Sequence, residues 1–162
     1  MKNPSFELDP RPGGVGYGNV SEWRGFSGIN NNGGPFHDNG SVPDRGQIAF
    51  AQGSRTVSQM LTGLESGGNY RLQFFYNVRN CCGGTMGFTA KVDGFELESV
   101  AEISPVGGAN PYHFRSWDFT ADNDEVLLEI VSEAAGDATL LVDAVTVIPI
   151  GEDHVNIANA SF

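Results

Sequence analysis

The chain of 162 residues carries 20 acidic against 9 basic side chains, a formal net charge of −11 at pH 7. This charge repels nucleic acid and anionic membrane surfaces, and the sequence offers no basic stripe for phosphate groups. The longest apolar stretches, such as residues 145–150, are far shorter than the roughly 20 residues that span a bilayer, so neither nucleic-acid binding nor membrane insertion is expected.

The composition points to an extracellular β domain. The 22 glycines, with many Asn, Ser and Thr residues and only two lysines, are typical of a loop-rich, all-β extracellular protein. One domain accounts for the length, because a chain of about 150 residues buries about 70% of its unfolded surface. We therefore expect a secreted or cell-surface protein.

Two segments in the first third of the chain lack strand patterning. Residues 9–19 contain two prolines and four glycines, which cannot propagate a helix or a central strand, so a long loop is predicted. Residues 27–46 form a second predicted loop, whose only large apolar side chains are Ile29 and Phe36. Because a loop of this length is unusual in a compact domain, we expect it to be functional.

Strand patterns follow at regular spacing through the rest of the chain. Alternation is clearest where Tyr70, Leu72 and Phe74 face one side of a predicted strand, and Asp93-Gly94 is a strong hairpin turn. The predicted strands are residues 47–52, 56–61, 70–79, 88–92, 95–103, 112–120, 126–131 and 139–148. These short strands with long loops predict an all-β fold, a two-sheet antiparallel β-sandwich of the jelly-roll type.

The opening of the chain nearly recurs at its end. Residues 3–6 are Asn-Pro-Ser-Phe, and residues 159–162 are Asn-Ala-Ser-Phe. A repeated opening is what one module of a longer, repetitive protein would show. We therefore expect residues 1–150 to form the module and residues 151–162 to be a linker and the start of a following module, with covalently linked neighbours in the full-length protein.

Several short segments together resemble one group of proteins. They are the Asn-x-Ser-Phe-Glu of residues 3–7, Trp23, and residues 59–64, 68–74, 119–121 and 141–145. In this combination the chain resembles the galactose-binding-like jelly-roll carbohydrate-binding modules, with families four, nine and twenty-two nearest. The resemblance covers nearly the whole domain, and it implies a jelly-roll fold and a carbohydrate ligand.

The same resemblance implies a structural calcium ion near the two ends of the domain. In similar modules the Glu of the opening motif and the Asp of the final strand bind the ion, and these correspond to Glu7 and Asp143. The carbonyl of Ser5 and an oxygen from the loop near Asp44 would complete the shell. Calcium takes about six to eight oxygen ligands, and an acidic surface favours it. The alternative is a solvated Glu7 and an Asp143 that caps a turn.

The two cysteines of the chain, Cys81 and Cys82, are adjacent. Neighbouring Cα atoms lie about 3.8 Å apart, short of the roughly 4.4 Å of relaxed disulfides, so a bond between the two needs a supporting structure. Gly83 and Gly84 supply the backbone freedom for such a turn, which would be rigid and apolar. Because exposed thiols are hazardous in a secreted protein, we favour a vicinal disulfide over free thiols or intermolecular pairing.

Candidate ligand-binding residues follow from strand alternation. In the 70–79 strand, the side chains opposite the core are expected on an exposed sheet face that leads into the cysteine turn. The segment 112–117 offers a similar mixture, with Trp117 expected inward and Phe114 or Tyr112 outward. Aromatic rings stack on the C–H faces of sugars, while amide and guanidinium groups bond the hydroxyls. The predicted site residues are Phe75, Asn77, Arg79, Cys81, Cys82, Tyr112, His113 and Arg115.

Two loop aromatics, Trp23 and Phe36, leave two interpretations open. Each residue either packs onto the edge of the sandwich or contacts the ligand.

Catalytic motifs are absent, with no Gly-x-Ser-x-Gly turn and no His-Glu-x-x-His in the sequence. The carboxylate pair of a glycosidase needs a deep cleft, which a small jelly roll more often lacks. We therefore predict a non-catalytic ancillary module, of the kind attached to glycoside hydrolases.

The predicted ligand is a polysaccharide or oligosaccharide, recognised within a secreted multidomain protein that we expect to be bacterial. The net charge favours a neutral plant or algal glycan, with Arg79 and Arg115 as local exceptions. The alternative function is a structural or adhesion repeat of a cell-surface protein, which keeps the fold and the calcium but binds no sugar. The sugar-binding function and the structural or adhesion function predict different surfaces. Sugar binding requires one exposed concavity that is shared by Phe75, Asn77, Arg79 and the cysteine turn.

Overall fold

The computed structural model describes residues 1–31 and 39–151 of the chain. Among these residues there is no helix of the length and apolarity needed to cross a membrane. The strands are β1 (Val15–Tyr17), β2 (Gly28–Asn31), β3 (Gln47–Gln52), β4 (Arg55–Thr62), β5 (Asn69–Val78), β6 (Thr85–Val92), β7 (Phe95–Val100), β8 (His113–Thr120), β9 (Glu125–Ala135) and β10 (Thr139–Pro149).

The strands form two sheets in which all neighbours are antiparallel. Among the described residues the larger sheet has six strands in the order β1-β2-β3-β10-β5-β8, and the smaller has four in the order β4-β9-β6-β7. The prediction of an all-β, two-sheet antiparallel sandwich is confirmed. Each of the eight predicted strands is present, with bounds that differ by a few residues.

The main core lies between the two sheets. Leu72 and Phe74 of β5, Phe88 of β6 and Leu128 of β9 are buried there, and the rings of Phe74 and Phe88 lie 5.6 Å apart. Burial of each such side chain stabilises the fold by roughly 1.5–3 kcal/mol. Because side chains alternate along a strand, the neighbours of these residues in β5 point to the opposite face of the larger sheet, which we call the outer face.

A second apolar cluster covers the centre of the outer face. It is formed by Ile48, Phe50, Tyr112 and Leu141, with Val42, Phe75 and Val106 packed against it. Val42 and Val106 belong to residues 39–46 and 101–112, which we call the crossing segments because they run over the sheet. A β-bridge between Ser41 and Pro111 joins the two segments. The outer face is therefore divided into two exposed ends.

Two short strands occur where the sequence predicted only loops. β1 lies within residues 9–19 and β2 within residues 27–46, so these predictions were wrong for the strand residues. Both prolines of the first segment precede β1, so neither interrupts its ladder. A Cβ atom at Gly28 would lie 2.1 Å from the carbonyl oxygen of Gly16, so glycine is what lets the two strands approach.

Trp23 belongs to the core rather than to a ligand site. Its ring lies 5.7 Å from that of Phe6 and 5.5 Å from that of Phe26, and its Nε1 donates to the carbonyl of Asn3 at 3.2 Å. The first of the two interpretations of Trp23 is therefore confirmed. Phe36 lies outside the described residues, as do residues 152–162 of the predicted linker and following module.

Candidate functional site

One exposed end of the outer face carries a pair of aromatic rings. Phe75 of β5 pairs with Phe114 of β8, and their ring centroids lie 4.9 Å apart at an interplanar angle of 49°. Phe75 is half-buried, whereas Phe114 is 43% exposed, as expected for an outward residue of its segment. One row further along, half-buried Gln73 pairs with exposed Ser116. We call this patch the aromatic platform, and its residues are Phe75, Phe114, Gln73 and Ser116.

An ion pair borders the aromatic platform. Nε of Arg71 lies 2.7 Å from Oδ1 of Asp118, and Nη2 donates to Oδ2 at 3.0 Å. The hydrogen bonds from the guanidinium hold the pKa of Asp118 below its ordinary value, so this carboxyl stays ionised. The charge of Arg71 is therefore matched by the carboxylate of its neighbour.

Asn77 is buried rather than exposed, which corrects the sequence-based expectation. Its Nδ2 donates to the carbonyl of Asn39 at 2.6 Å and to that of Val106 at 3.0 Å, and its Oδ1 accepts from the backbone N–H of Val106 at 3.0 Å. The amide thus fastens both crossing segments to β5. Alternation predicted the correct face of the sheet, but it carries no information about segments that fold over that face.

Tyr112, His113 and Arg115 do not join Phe75 on one exposed surface. Tyr112 is buried in the outer cluster, and burial, with a smaller contribution from the charge of Asp143, raises the pKa of its hydroxyl. His113 and Arg115 alternate with Phe114, so they lie on the opposite face of β8. The predicted ligand set is therefore divided among four places, because Arg79, Cys81 and Cys82 lie apart from all of these, beyond the end of β5.

His113 and Arg115, on the inner face of β8, lie at the side of the sandwich where the edges of the two sheets meet. The ring of His113 lies 5.3 Å from that of Tyr76, and its Nε2 is 2.7 Å from the carbonyl oxygen of Ser104. Nε of Arg115 lies 3.5 Å from Oε2 of Glu98 in β7, and Trp117 Nε1 donates to the same oxygen at 2.8 Å. These contacts connect the edges of the two sheets.

The cysteine turn contains the predicted vicinal disulfide. Cys81 and Cys82 are bonded to each other and both are exposed. Cys82 has φ 73°, followed by Gly83 at 77° and Gly84 at 97°, so the turn needs the left-handed region that glycine enters readily. A Cβ at Gly84 would lie 2.2 Å from the carbonyl oxygen of Ala135, which places the turn directly against the loop between β9 and β10.

A polar row crosses the sheet beside this turn. Nη2 of Arg79 lies 2.8 Å from Oδ1 of Asp137 and donates to its carbonyl at 2.9 Å. Nε2 of Gln52 donates to Oδ1 of Asp137 at 3.3 Å, and the hydroxyl of Tyr17 donates to Oε1 of Gln52 at 3.3 Å. The pKa of Asp137 is lowered by its hydrogen bond from Gln52, which has the larger effect, and by its hydrogen bond from Arg79. We call this end the disulfide patch, and its residues are Tyr17, Gln52, Arg79, Asp137, Cys81 and Cys82.

Three residues of the disulfide patch were missed by sequence reasoning. Tyr17 lies between glycines in a segment predicted to be a loop, and Asp137 lies in an ordinary turn. Gln52 was recognised only as the last residue of a strand. Their proximity depends on the order of β1, β3 and β10 in the sheet, for which the sequence carried no signal.

The predicted metal ligands come together around Asp143. Oγ of Ser5 donates to Oδ2 of Asp44, and the backbone N–H of Asp44 donates to Oδ2 of Asp143 at 2.8 Å. The N–H of Ala144 donates to the other oxygen of Asp143 at 2.7 Å. Glu7 Oε1 accepts the backbone N–H groups of residues 46 and 47 at 3.1 and 3.0 Å. We call Ser5, Glu7, Asp44 and Asp143 the acidic cluster.

The carboxyl of Asp143 is fully buried within this cluster. Its pKa is raised to about 8, chiefly by burial; the N–H groups of Asp44 and Ala144 oppose the shift, and the charges of Asp44 and Glu7 add to it. As the side chains stand, no three His, Cys, Asp or Glu groups within residues 1–31 and 39–151 are arranged to hold a metal ion. Any cation here therefore depends on hydroxyl and carbonyl oxygens as well.

No protein-family model and no curated protein matches the sequence. Solved structures do match. TmCBM61 in complex with β-1,4-galactotriose is 16% identical with a TM-score of 0.54, and the match covers 93% of this chain and 97% of that one. A CBM4 structure is 18% identical with a TM-score of 0.51, and the match covers 91% of this chain and 98% of that one.

A larger protein also contains this fold. The enzymatically active domain of bacteriophage CBA120 tailspike protein 4 is 13% identical with a TM-score of 0.59; the match covers 93% of this chain, which spans only 21% of the tailspike.

The matches to the CBM61 and CBM4 structures show that the chain has the fold of the jelly-roll carbohydrate-binding modules, as the resemblance implied. Structures of families four and twenty-two, which the sequence indicated, are among the matches.

Proposed function

We propose that this jelly-roll module binds a neutral polysaccharide or oligosaccharide on the aromatic platform. The observation that carries the proposal is the exposed ring of Phe114 beside Phe75, at a centroid distance of 4.9 Å, with Gln73 and Ser116 in the next row. A sugar ring packs its C–H face on an aromatic ring, and its hydroxyls need donors and acceptors close by. The platform supplies both kinds of contact on a rigid sheet.

A further polar group supports the same location. Thr146 of β10 pairs with Gln73, and its Oγ1 is buried without a hydrogen-bond partner among the described residues. Buried hydroxyls normally form a hydrogen bond with protein or ordered water, so a hydroxyl without a protein partner indicates a place where an ordered water is expected. An ordered water that bridges Thr146 to a ligand hydroxyl at this row would satisfy it.

The charges around the platform favour a neutral glycan over an anionic one. Arg71 is paired with Asp118, and Arg115 lies on the opposite face of β8 beside Glu98. No unpaired cation among the described residues of the platform is left for a carboxylate or sulfate group. The chain as a whole has a net charge of −11, which repels anionic polymers.

The biological setting that we propose is a secreted or cell-surface bacterial protein of several modules. The Cys81–Cys82 disulfide supports an oxidising compartment, because cytosolic thiols are kept reduced. In such a protein the module would hold its neighbours, for example a glycoside hydrolase, close to a plant or algal polysaccharide. Linking the two modules raises the effective concentration of the substrate at the enzyme.

We also propose that the acidic cluster holds a structural calcium ion. A fully buried Asp143 carboxylate next to Asp44 and Glu7 supports this, because a cation offsets the repulsion and the cost of burial. Each oxygen of Asp143 accepts one backbone N–H and keeps a lone pair, and the hydroxyl of Ser5 adds another oxygen donor. The donor set therefore fits calcium chemically, and a bound ion would tie residues 5–7 to β10 and to a crossing segment.

The experiment that tests the proposed function is a binding screen. Affinity electrophoresis of the module in gels that contain xylan, mixed-linkage β-glucan, galactan or galactomannan should show retardation in at least one gel. Alginate and polygalacturonate, which are anionic, should cause none. If no gel retards the protein, the sugar-binding proposal fails and the structural or adhesion repeat becomes the better explanation.

A further inference from the structure

We infer that the disulfide patch is a second sugar-binding site, separate from the aromatic platform, which takes a neutral sugar through adjacent hydroxyl groups. The inference extends the proposed function to a second location. It rests on different residues, so either site can exist without the other.

The centre of the patch is a fixed carboxylate. Arg79, whose side chain is 10% exposed, holds both the carbonyl and Oδ1 of Asp137, while Gln52 donates to the same Oδ1. The side chain of Asp137 is 54% exposed, and its Oδ2 accepts no hydrogen bond from the described residues. An acceptor held in place by its neighbours and open to solvent suits a ligand hydroxyl, because little ordering remains to be done on binding.

Two apolar surfaces flank this carboxylate. On one side, the ring of Tyr17 is 62% exposed and meets buried Phe50 edge-on at 5.2 Å, while its hydroxyl is held by Gln52. On the other side, the exposed Cys81–Cys82 bond follows Arg79 by two residues. A fixed ring and a rigid disulfide turn both offer surface on which the C–H face of a sugar can pack.

A hydroxyl beneath the patch lacks a partner. Thr139 is fully buried in β10, where it pairs with Gln52 on one side and accepts the backbone N–H of Arg79 on the other. Its Oγ1 has no hydrogen bond among the described residues. The floor of the patch therefore holds an unmet polar group between the two side chains that position Asp137, and a retained water beneath the ligand would satisfy it.

The charges of the patch select a neutral ligand. The pKa of Asp137 lies below its ordinary value because Gln52 and Arg79 stabilise the carboxylate, and the charge of Arg79 is matched by it. An anionic sugar would meet the exposed carboxylate and a strongly negative protein. Two adjacent hydroxyls of a neutral sugar, in contrast, can both donate to one carboxylate.

The two sites are separated by covered surface. Phe75 and Asn77 are successive outer residues of β5, and Arg79 follows the end of that strand, so about 13 Å separates Phe75 from Arg79 at about 3.3 Å per residue of extended chain. Asn77 lies between them, buried under the crossing segments. A sugar on the disulfide patch therefore cannot touch the platform without passing over those segments.

The test is an NMR titration of the isotope-labelled module with free galactose, mannose, xylose, arabinose and fucose. With at least one sugar, the backbone amides of residues 52, 82 and 137 should shift and saturate. Asp137→Asn and Tyr17→Ala should each weaken that binding about tenfold or more, the loss expected for a hydrogen bond to a charged group or for a stacking ring. The matched controls Asp122→Asn and Phe95→Ala, and the platform variant Phe114→Ala, should leave it unchanged.

The proposal is overturned if no sugar shifts these amides, if the shifts are confined to the platform, or if Asp137→Asn binds like the parent protein. The double variant Cys81→Ser/Cys82→Ser provides a check that does not touch the polar row, and it should also weaken binding. Failure here is distinct from failure of the proposed function: gel retardation that Phe114→Ala abolishes, without monosaccharide shifts at residue 137, would leave the platform as the sugar site and remove this one.

Discussion

Asn77 and Val106 exchange two hydrogen bonds across the outer face, from Nδ2 to the carbonyl at 3.0 Å and from the backbone N–H to Oδ1 at 3.0 Å. This pair, with the bond from Asn77 to Asn39, is what fastens the crossing segments and separates the two exposed ends of the sheet. We therefore expect Asn77→Ala to destabilise the fold by about 2–4 kcal/mol, because the buried backbone groups of the segments lose their partner.

Thermal melting measures that loss, and a fall in Tm of about 10 °C is expected for a domain of this size. The control is Asn110→Ala, an exposed amide with one local bond to the carbonyl of Gly107, which should change Tm little. Equal melting of Asn77→Ala and the parent protein would show that the buried amide does not hold the segments.

The acidic cluster leads to a prediction about calcium. With free calcium at about 100 times its dissociation constant, a native-state site adds about 2.7 kcal/mol, so Tm should rise by several degrees over that in calcium-free buffer. Glu7→Gln should reduce the rise, whereas Glu102→Gln, an exposed control, should retain it. Superimposable melting curves with calcium and with chelator would rule out the ion.

The buried carboxyl of Asp143 predicts a pH dependence in calcium-free buffer. Its pKa is raised from 3.8 to about 8 on folding, so the folded state binds this proton more tightly than the unfolded state does. The resulting stability is complete below about pH 4 and is lost as the pH rises towards about 8. We therefore expect Tm to fall between about pH 5 and about pH 8, and the fall to be smaller in Asp143→Asn. A rise over this range in the parent protein would contradict the assignment.

The vicinal disulfide makes a prediction about the protein as purified. Alkylation under denaturing conditions without a reductant, followed by intact-mass measurement, should label neither Cys81 nor Cys82, because both are held in one bond. Two labels after reductant is added would provide the positive control. Two labels before reduction would show that the thiols are free.

The fold could be predicted from the sequence to a large extent, because strand alternation and turn residues are local signals. Leu72 and Phe74 face the core and Phe75 faces outward, as their spacing indicated. The site could be predicted only in part. The adjacent cysteines constrain each other directly, and the resemblance named the residues of the acidic cluster. The burial of Asn77 and the proximity of Tyr17 to Gln52 depend on crossing segments and sheet order, which no local pattern encodes.

The most direct test of the central claim compares two exposed phenylalanines on a glycan that retards the module. Phe114 lies on the aromatic platform, whereas Phe95 is 71% exposed in β7 of the other sheet. Calorimetric titration should show affinity reduced about tenfold or more in Phe114→Ala, from lost apolar and stacking contact of roughly 1.5–3 kcal/mol. Phe95→Ala should bind like the parent protein. Equal affinity of Phe114→Ala and the parent would contradict the aromatic platform as the glycan site.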